Sequence, residues 1–344
     1  MKSVNNTFSL LAVAMLTAGV ANAQGPTNTF QGNTVRPVAT PGTAPVAPAD
    51  VPGASKGTYS PNYGDYSQDS YVSQTGNGNY ATVDQANTAG AARGNTAILD
   101  QTGNNNKASQ NQSTTNNNQG YGGTFNGIDR NFMRSTQNGS GSQTQQSQSS
   151  GFANVATVLQ GTGTTGNRAI QNQGTNAAGA SLANQAAISQ TRYAVVGGGS
   201  GNYAEQQQSG ILQAARIDQE ASNSYAKQTQ RGGGNIPNPQ SSNDAYIHQG
   251  DPGTRNTAEQ SQDGFGNKAQ IQQSVSSTAN DNYAMQTQTG TNNQADILQQ
   301  SSGNYAEQMQ SNDGNYSSMS QSNVRSAALS VQTGAANTAI ITQK

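Results

Sequence analysis

The chain has no cysteine, no tryptophan and one histidine, and only 10% of its 344 residues are charged. Without cysteine there are neither disulfides nor thiolate metal sites, so whatever holds the protein together is non-covalent. Hydrophobic residues make up 31% of the chain, against about 45–50% in ordinary globular proteins, which excludes a conventional oily core. Scarce charge also sets it apart from typical disordered chains, which stay open by self-repulsion. A net charge of −1 gives no electrostatic case for nucleic acid or an anionic membrane as partner. What fills the chain instead is Asn, Gln, Ser, Thr and 40 Gly, a mix typical of aggregation-prone polar sequences.

The N-terminus has the form of an export signal. Lys2 supplies the positive charge, the apolar run Phe8–Val20 is too short to span a bilayer, and Ala21-Asn22-Ala23 fits a cleavage site. Cleavage between Ala23 and Gln24 is expected, leaving residues 1–23 as signal peptide and a secreted mature chain. Residues 24–67 carry Pro26, Pro37, Pro41, Pro45, Pro48, Pro52 and Pro61. Proline cannot donate to a strand ladder, so this stretch reads as a leader or linker. No other segment is apolar enough to cross a membrane.

From residue 68 to 344 one pattern governs the chain: Asn-x-Ala-x-x-x-Gln. Fourteen segments match it in full. The Asn, Ala and Gln positions read Asn79, Ala81, Gln85; Asn95, Ala97, Gln101; Asn106, Ala108, Gln112; and Asn154, Ala156, Gln160. Further copies run from Asn167 to Gln173, Asn184 to Gln190, Asn202 to Gln208, Asn243 to Gln249, Asn256 to Gln262 and Asn267 to Gln273. The last four are Asn282 to Gln288, Asn293 to Gln299, Asn304 to Gln310, and Asn337 through Ala339 to Gln343. Segments 213–219, 224–230, 315–321 and 326–332 keep the frame with one substitution; 68–74, 131–137 and 142–148 are weaker echoes. In the C-terminal half the Ala position recurs every 11 residues, at 284, 295, 306, 317, 328 and 339, with Ser317 in one copy. Longer steps mark loop insertions, notably 113–130, 191–201 and 231–242.

The unit alternates with period two, as a strand requires. Slots one, three, five and seven share a face, and in the 18 full or near copies none of them holds a charge. Lys107, Asp100, Arg216, Lys227, Glu259, Lys268, Asp296 and Glu307 all fall on the even slots. A helix would scatter these charges all round. One face is therefore buried and the other wet. From Asn184 onward the fifth slot alternates between aliphatic and polar: Ile188, Gln206, Ile217, Gln228, Ile247, Gln260, Ile271, Gln286, Ile297, Gln308, Met319, Ser330, Ile341. The true repeat is thus two strands, predicting an all-β solenoid, a cross-β stack of strand-turn-strand units in two facing sheets with uncapped ends. One sheet carries the aliphatic slots and the other the Gln slots. Tyr203, Tyr225, Tyr283 and Tyr305, all in slot two of Gln-type strands, predict a file of rings on an exposed face.

Buried amides must be paired. Stacked copies place each Gln one rung, ~4.8 Å, from the next, a spacing that lets side-chain amides bond in files. Gly-rich steps such as Gln101–Asn106, Gln288–Asn293 and Gln332–Asn337 supply the reversals. The repeat continues to Gln343, so the end of the stack is expected to accept another copy.

These residues resemble a known family. Ser326-x5-Gln332-x-Gly334-x-x-Asn337-x-Ala339-x3-Gln343 fits the curlin repeat at every specified position, and the likeness covers roughly 68–343. Curlins are subunits of bacterial curli, the extracellular functional amyloid of biofilms. The resemblance implies a secreted, cell-surface homopolymer engaged in adhesion and cell aggregation. It also implies an outer-membrane secretion channel and a nucleator subunit as partners. A monomeric secreted β-solenoid that binds ice, glycans or surfaces stands as the alternative, and a disordered Gln/Asn-rich polymer as a third reading.

No enzyme chemistry emerges from the sequence. Gly161-Thr-Gly163-Thr-Thr-Gly166 has the letters of a dinucleotide-binding fingerprint but leads into a strand unit where that motif needs a helix. His248 falls on an outward slot and builds neither a catalytic triad nor a His-cluster metal site. No carboxylate pair combines burial with a case for general acid–base work. No cofactor or metal is expected.

Overall fold

A computed structural model describes residues 68–87, 95–114, 131–149, 154–174, 184–191, 199–232, 243–250, 252–273 and 279–344. The signal peptide 1–23 with its Ala23–Gln24 site, the leader 24–67 and most of the three insertions lie outside these residues. Every described element is a strand. They are β1 Gln68–Thr75, β2 Tyr80–Asn87, β3 Asn95–Thr102, β4 Lys107–Thr114, β5 Asn131–Gln137, β6 Gln143–Ser149 and β7 Val155–Gln160. There follow β8 Arg168–Gly174, β9 Gln185–Gln190, β10 Tyr203–Gly210, β11 Ala214–Gln219, β12 Tyr225–Gly232, β13 Asp244–Gln249 and β14 Thr257–Phe265. The last are β15 Lys268–Gln273, β16 Tyr283–Thr291, β17 Gln294–Gln299, β18 Tyr305–Ser311, β19 Tyr316–Gln321, β20 Ala327–Thr333 and β21 Thr338–Gln343. The weak echoes are full members, as β1, β5 and β6.

The odd strands form one eleven-stranded parallel sheet and the even strands a ten-stranded one, each in chain order. The chain therefore winds as a β-solenoid with one strand of each sheet per turn. Register follows the slots: Ala245 pairs with Ala269, Ile247 with Ile271 and Gln249 with Gln273, and Gln286 with Gln308 across the other sheet. Slots aligned this way keep most buried side chains beside their own kind, which fixes register where one-residue slips would expose the core.

The core between the sheets is narrow and mixed. Ile188, Ile217, Ile247, Ile271, Ile297 and Met319 form an aliphatic file on the odd sheet, packed on Ala204, Ala226, Ala258, Ala284 and Ala306 of the even sheet. Small Ala opposite large Ile lets the sheets close while removing apolar surface from water, at about 25 cal/mol per Å². β5 exchanges the two sizes. Met133 takes the Ala slot and Ser135 the aliphatic one, and both are fully buried. That exchange keeps the summed volume and explains why β5 matched the pattern only weakly.

Two expectations need correction. The Tyr file is not exposed throughout: Tyr203 and Tyr225 are buried, packed with Ile170. Nor is the outer face uniformly wet, since Glu205 and Asp218 are buried too. The physical reason is pairing on the outer surface itself. The Tyr203 hydroxyl donates to Glu205 at 2.8 Å, Arg168 lies over the Tyr203 ring, and Arg216 sits 2.8 Å from Asp218. These groups cover one another.

Candidate functional site

The repeated inward residues form the chemistry of this molecule. Three amide ladders run along the stack, two of them from end to end. On the odd sheet Gln74, Gln101, Gln137, Gln160, Gln190, Gln219, Gln249, Gln273, Gln299, Gln321 and Gln343 are joined at 2.6–3.0 Å, each Nε2 donating to the next Oε1. On the even sheet the chain of bonds runs Gln85, Gln112, Gln148, Gln173, Gln208, Gln230, Gln262, Gln288, Gln310, Gln332 at 2.7–3.0 Å. The fifth-slot glutamines add a third ladder from Gln110 to Gln308, at 2.8–2.9 Å.

Each amide has a second hydrogen, and it crosses the core. Gln299 donates to the Tyr283 carbonyl and Gln321 to that of Tyr305, both at 2.9 Å. Gln286 reaches the carbonyl of Gln270 on the facing sheet. A buried Gln is thus paired along the axis and across it, which answers the desolvation cost of a polar core. The ladders share one direction, donors toward the C-terminal strands and acceptors toward the N-terminal ones.

The Asn slot works differently from the Gln slots. Asn lies at the corner, just before the strand, and its Oδ1 accepts the backbone N–H of the slot-one residue one turn on. Asn267 accepts from Asn293, Asn282 from Asn304, and Asn304 from Ser326 at 2.8–3.1 Å; Asn79 accepts from Asn106, and Asn154 from Asn184. Its Nδ2 donates to a turn carbonyl: Asn184 to Gly210, Asn243 to Gly264, Asn293 to Asn312. Asn95, Asn106, Asn167, Asn202, Asn256 and Asn337 hold the same corner position, all but Asn337 fully enclosed. Asn106, Asn167, Asn202 and Asn256 each staple a reversal to the next turn. Ala81 is half-buried near the N-terminal end, whereas Ala97, Ala108 and Ala156 are buried.

No family model matches this chain, and no curated protein matches it.

Two features escaped the sequence reading. Among the described residues, the one before each slot-one position is left-handed, as at Gly78, Asn105, Gly166, Asn223, Asn292 and Ala336. Gly or Asn recurring there was the available signal. Ala336, exposed and with φ at 57°, sits where an L side chain is strained, so Ala336→Gly is expected to stabilise the last turn by about 1 kcal/mol. Chemical denaturation curves of the two proteins test this. The second feature is stacked tyrosines on the even sheet, Tyr203 on Tyr225 at 5.3 Å and Tyr283 on Tyr305 at 5.1 Å between centroids, with Thr257 between the pairs.

Three outward carboxyls are shifted upward. Burial raises Glu259 above the ordinary carboxylate value despite Lys227, with Glu205 adding to the rise. Burial likewise raises Asp244, against Lys268, and Asp296, against a hydrogen bond from Gln294. Burial, Asp218 and Glu220 outweigh Arg216 to push the Tyr246 phenol up to about 12. A carboxyl whose pKa is raised on folding holds its proton more tightly in the folded state, so stability falls as pH rises from the unfolded value through the raised one. Urea unfolding is therefore expected to need more denaturant at pH 4 than at pH 7. Among the described residues no cluster of His, Cys, Asp and Glu is suited to hold a metal. His248 stacks on Tyr246 and lies 3.8 Å from Glu220, and residues 161–166 form the turn between β7 and the strand β8.

The ends of the stack contrast with its middle. In β17 the inward Ala295, Ile297 and Gln299 are at most 2% exposed. In β21 the equivalent Ala339, Ile341 and Gln343 are only half-buried, and at the other end Val72 of β1 is 42% exposed. Among the described residues no strand pairs with the outer edges of β1, β2, β20 or β21.

Proposed function

We propose that this chain is a secreted structural subunit that assembles end to end into extracellular, curli-like amyloid fibres of a biofilm matrix. The half-buried inward face of β21, Ala339, Ile341 and Gln343, carries this reading. It presents an aliphatic group, an amide and a row of unpaired strand-edge groups in the register that the interior repeats at every turn. A sheet edge of this kind templates another strand. The donor-to-acceptor direction of the Gln ladders supports it, because the C-terminal face of one copy complements the N-terminal face of the next. The resemblance of Ser326–Gln343 and its fellows to curlin repeats points to the same role. A surface-binding monomer would use flat ranks of exposed rings, and Tyr203 and Tyr225 are enclosed instead.

The expected result is unbranched fibres from the purified mature chain, with diffraction at ~4.8 Å along the fibre and ~10 Å across it. A stable monomer in dilute buffer that does not grow on added seeds overturns the reading.

A further inference from the structure

Among the described residues the odd sheet holds one strand more than the even sheet. An end-to-end joint between copies must accommodate that difference, and two arrangements are open. A copy added without rotation seats its β1 beside β21 and its β2 in the even sheet, leaving one strand position next to β20 empty. A copy turned by half a turn about the axis seats β1 beside β20 and β2 beside β21, and both sheets continue without a gap. Building on the fibre reading, we infer that successive copies are joined by this half-turn, so that each copy's aliphatic sheet continues into its neighbour's Gln-rich sheet.

A half-turn exchanges the sheets, and only the fifth slot distinguishes them. Slot seven is Gln in β1, β2, β20 and β21 alike, and slot three is Ser70, Ala81, Ala328 and Ala339. In the fifth slot an exchange would ordinarily set a Gln against an Ile, leaving an amide unpaired in an apolar file. The terminal strands avoid this. β2 carries Val83, and β20 carries Ser330, whereas the even strands β4 to β18 carry an unbroken run of fifth-slot Gln. In the half-turn joint Val83 meets Ile341 and Val72 meets Ser330; no glutamine faces an aliphatic neighbour.

Within a single chain Val83 is unfavourable. It pairs with Gln110, whose buried Oε1 has no hydrogen-bond donor, and a Gln at 83 would supply one. The departure from pattern thus harms the internal ladder and suits the joint. Ser330 is satisfied inside the chain by Ser317, at 3.0 Å, and so needs no amide from beyond.

Electron cryo-microscopy of fibres grown from the full mature chain reads the joint directly. The expected symmetry is a rotation near 180° with a rise of roughly 50 Å per copy, ten and a half strand spacings of ~4.8 Å. Rotation near zero with a rise of roughly 53 Å overturns the half-turn and leaves the fibre reading intact; failure to form cross-β fibres removes both. Paired substitutions give a second test by seeded growth of each protein on its own fibres. Val83→Gln and Ile341→Gln are each expected to slow elongation roughly tenfold, by placing one amide against an aliphatic side chain. Together they form a Gln–Gln pair across the joint and should return elongation to within about twofold of the parent. Multiplied slowing in the double variant overturns the half-turn, because in the unrotated joint residues 83 and 341 do not meet.

Discussion

Ile297→Asp is expected to destroy the solenoid around β17 and to abolish fibre growth, whereas Glu307→Lys leaves both nearly unchanged. Ile297 is 2% exposed and pairs in register with Ile271 and Met319, with Ala284 and Ala306 in the same cluster. A carboxylate there has an aliphatic neighbour on each side along its file. The charge must be neutralised or the rung must open, a loss of at least ~4 kcal/mol. Ile297→Ala removes the same contacts without charge and is expected to lose about 2–4 kcal/mol. Glu307 points outward, and its one close partner is the Tyr305 hydroxyl at 2.6 Å, so its reversal is worth less than about 1 kcal/mol. Because each turn touches only its neighbours, damage from Ile297→Asp should begin locally. Hydrogen exchange is expected to show lost protection centred on β15 to β19, with β3 to β8 still protected. Equal behaviour of the three variants would sink the inside–outside assignment.

That assignment was legible before any coordinates because it rests on exclusion. A charge in slot one, three, five or seven would lie between two sheets, and eighteen units without one left a single buried face. The fifth-slot alternation likewise gave the two sheets and their different linings, since Ile and Gln files in separate sheets are the simplest way to keep like beside like. The Asn slot was read as another inward strand position, and it proved to be a corner. Nothing in the letters separates an amide that bonds to its own kind from one that bonds to backbone, as Asn293 does to the carbonyl of Asn312. The tyrosines misled for a related reason. Period two places Tyr203 and Tyr225 outside, but their burial also draws on Arg168 and Ile170 of β8, the strand beside β10, which only the sheet order brings together. The half-turn at the stack ends was also out of reach, because strand parity became countable only when β1, β5 and β6 proved to be members.

Gly210→Ala is expected to be as damaging as the core charge, although it adds one methyl group at a turn. Gly210, Gly232, Gly264 and Gly290 form a column at the end of the even strands, each paired with the next. A Cβ at 210 would lie 1.5 Å from the carbonyl oxygen of Gly232, and φ there is 128°. The obstructing atom is backbone, and it is held: Gln213 donates to that same oxygen at 2.8 Å, and Asn184 donates to the oxygen of Gly210 at 2.8 Å. Relief requires breaking a staple and the pairing of β10 with β12, an expected loss of about 3–5 kcal/mol. Gly166→Ala is the control. Its φ of 66° is also left-handed, but a Cβ there meets nothing within 4 Å. Backbone strain alone then sets its effect, about 1–2 kcal/mol. The difference between the two variants, read from denaturant midpoints, isolates turn-on-turn stacking from glycine's conformational freedom. If the two lose equal stability, the column is no close-packed element, and the reversals owe their glycines to φ alone.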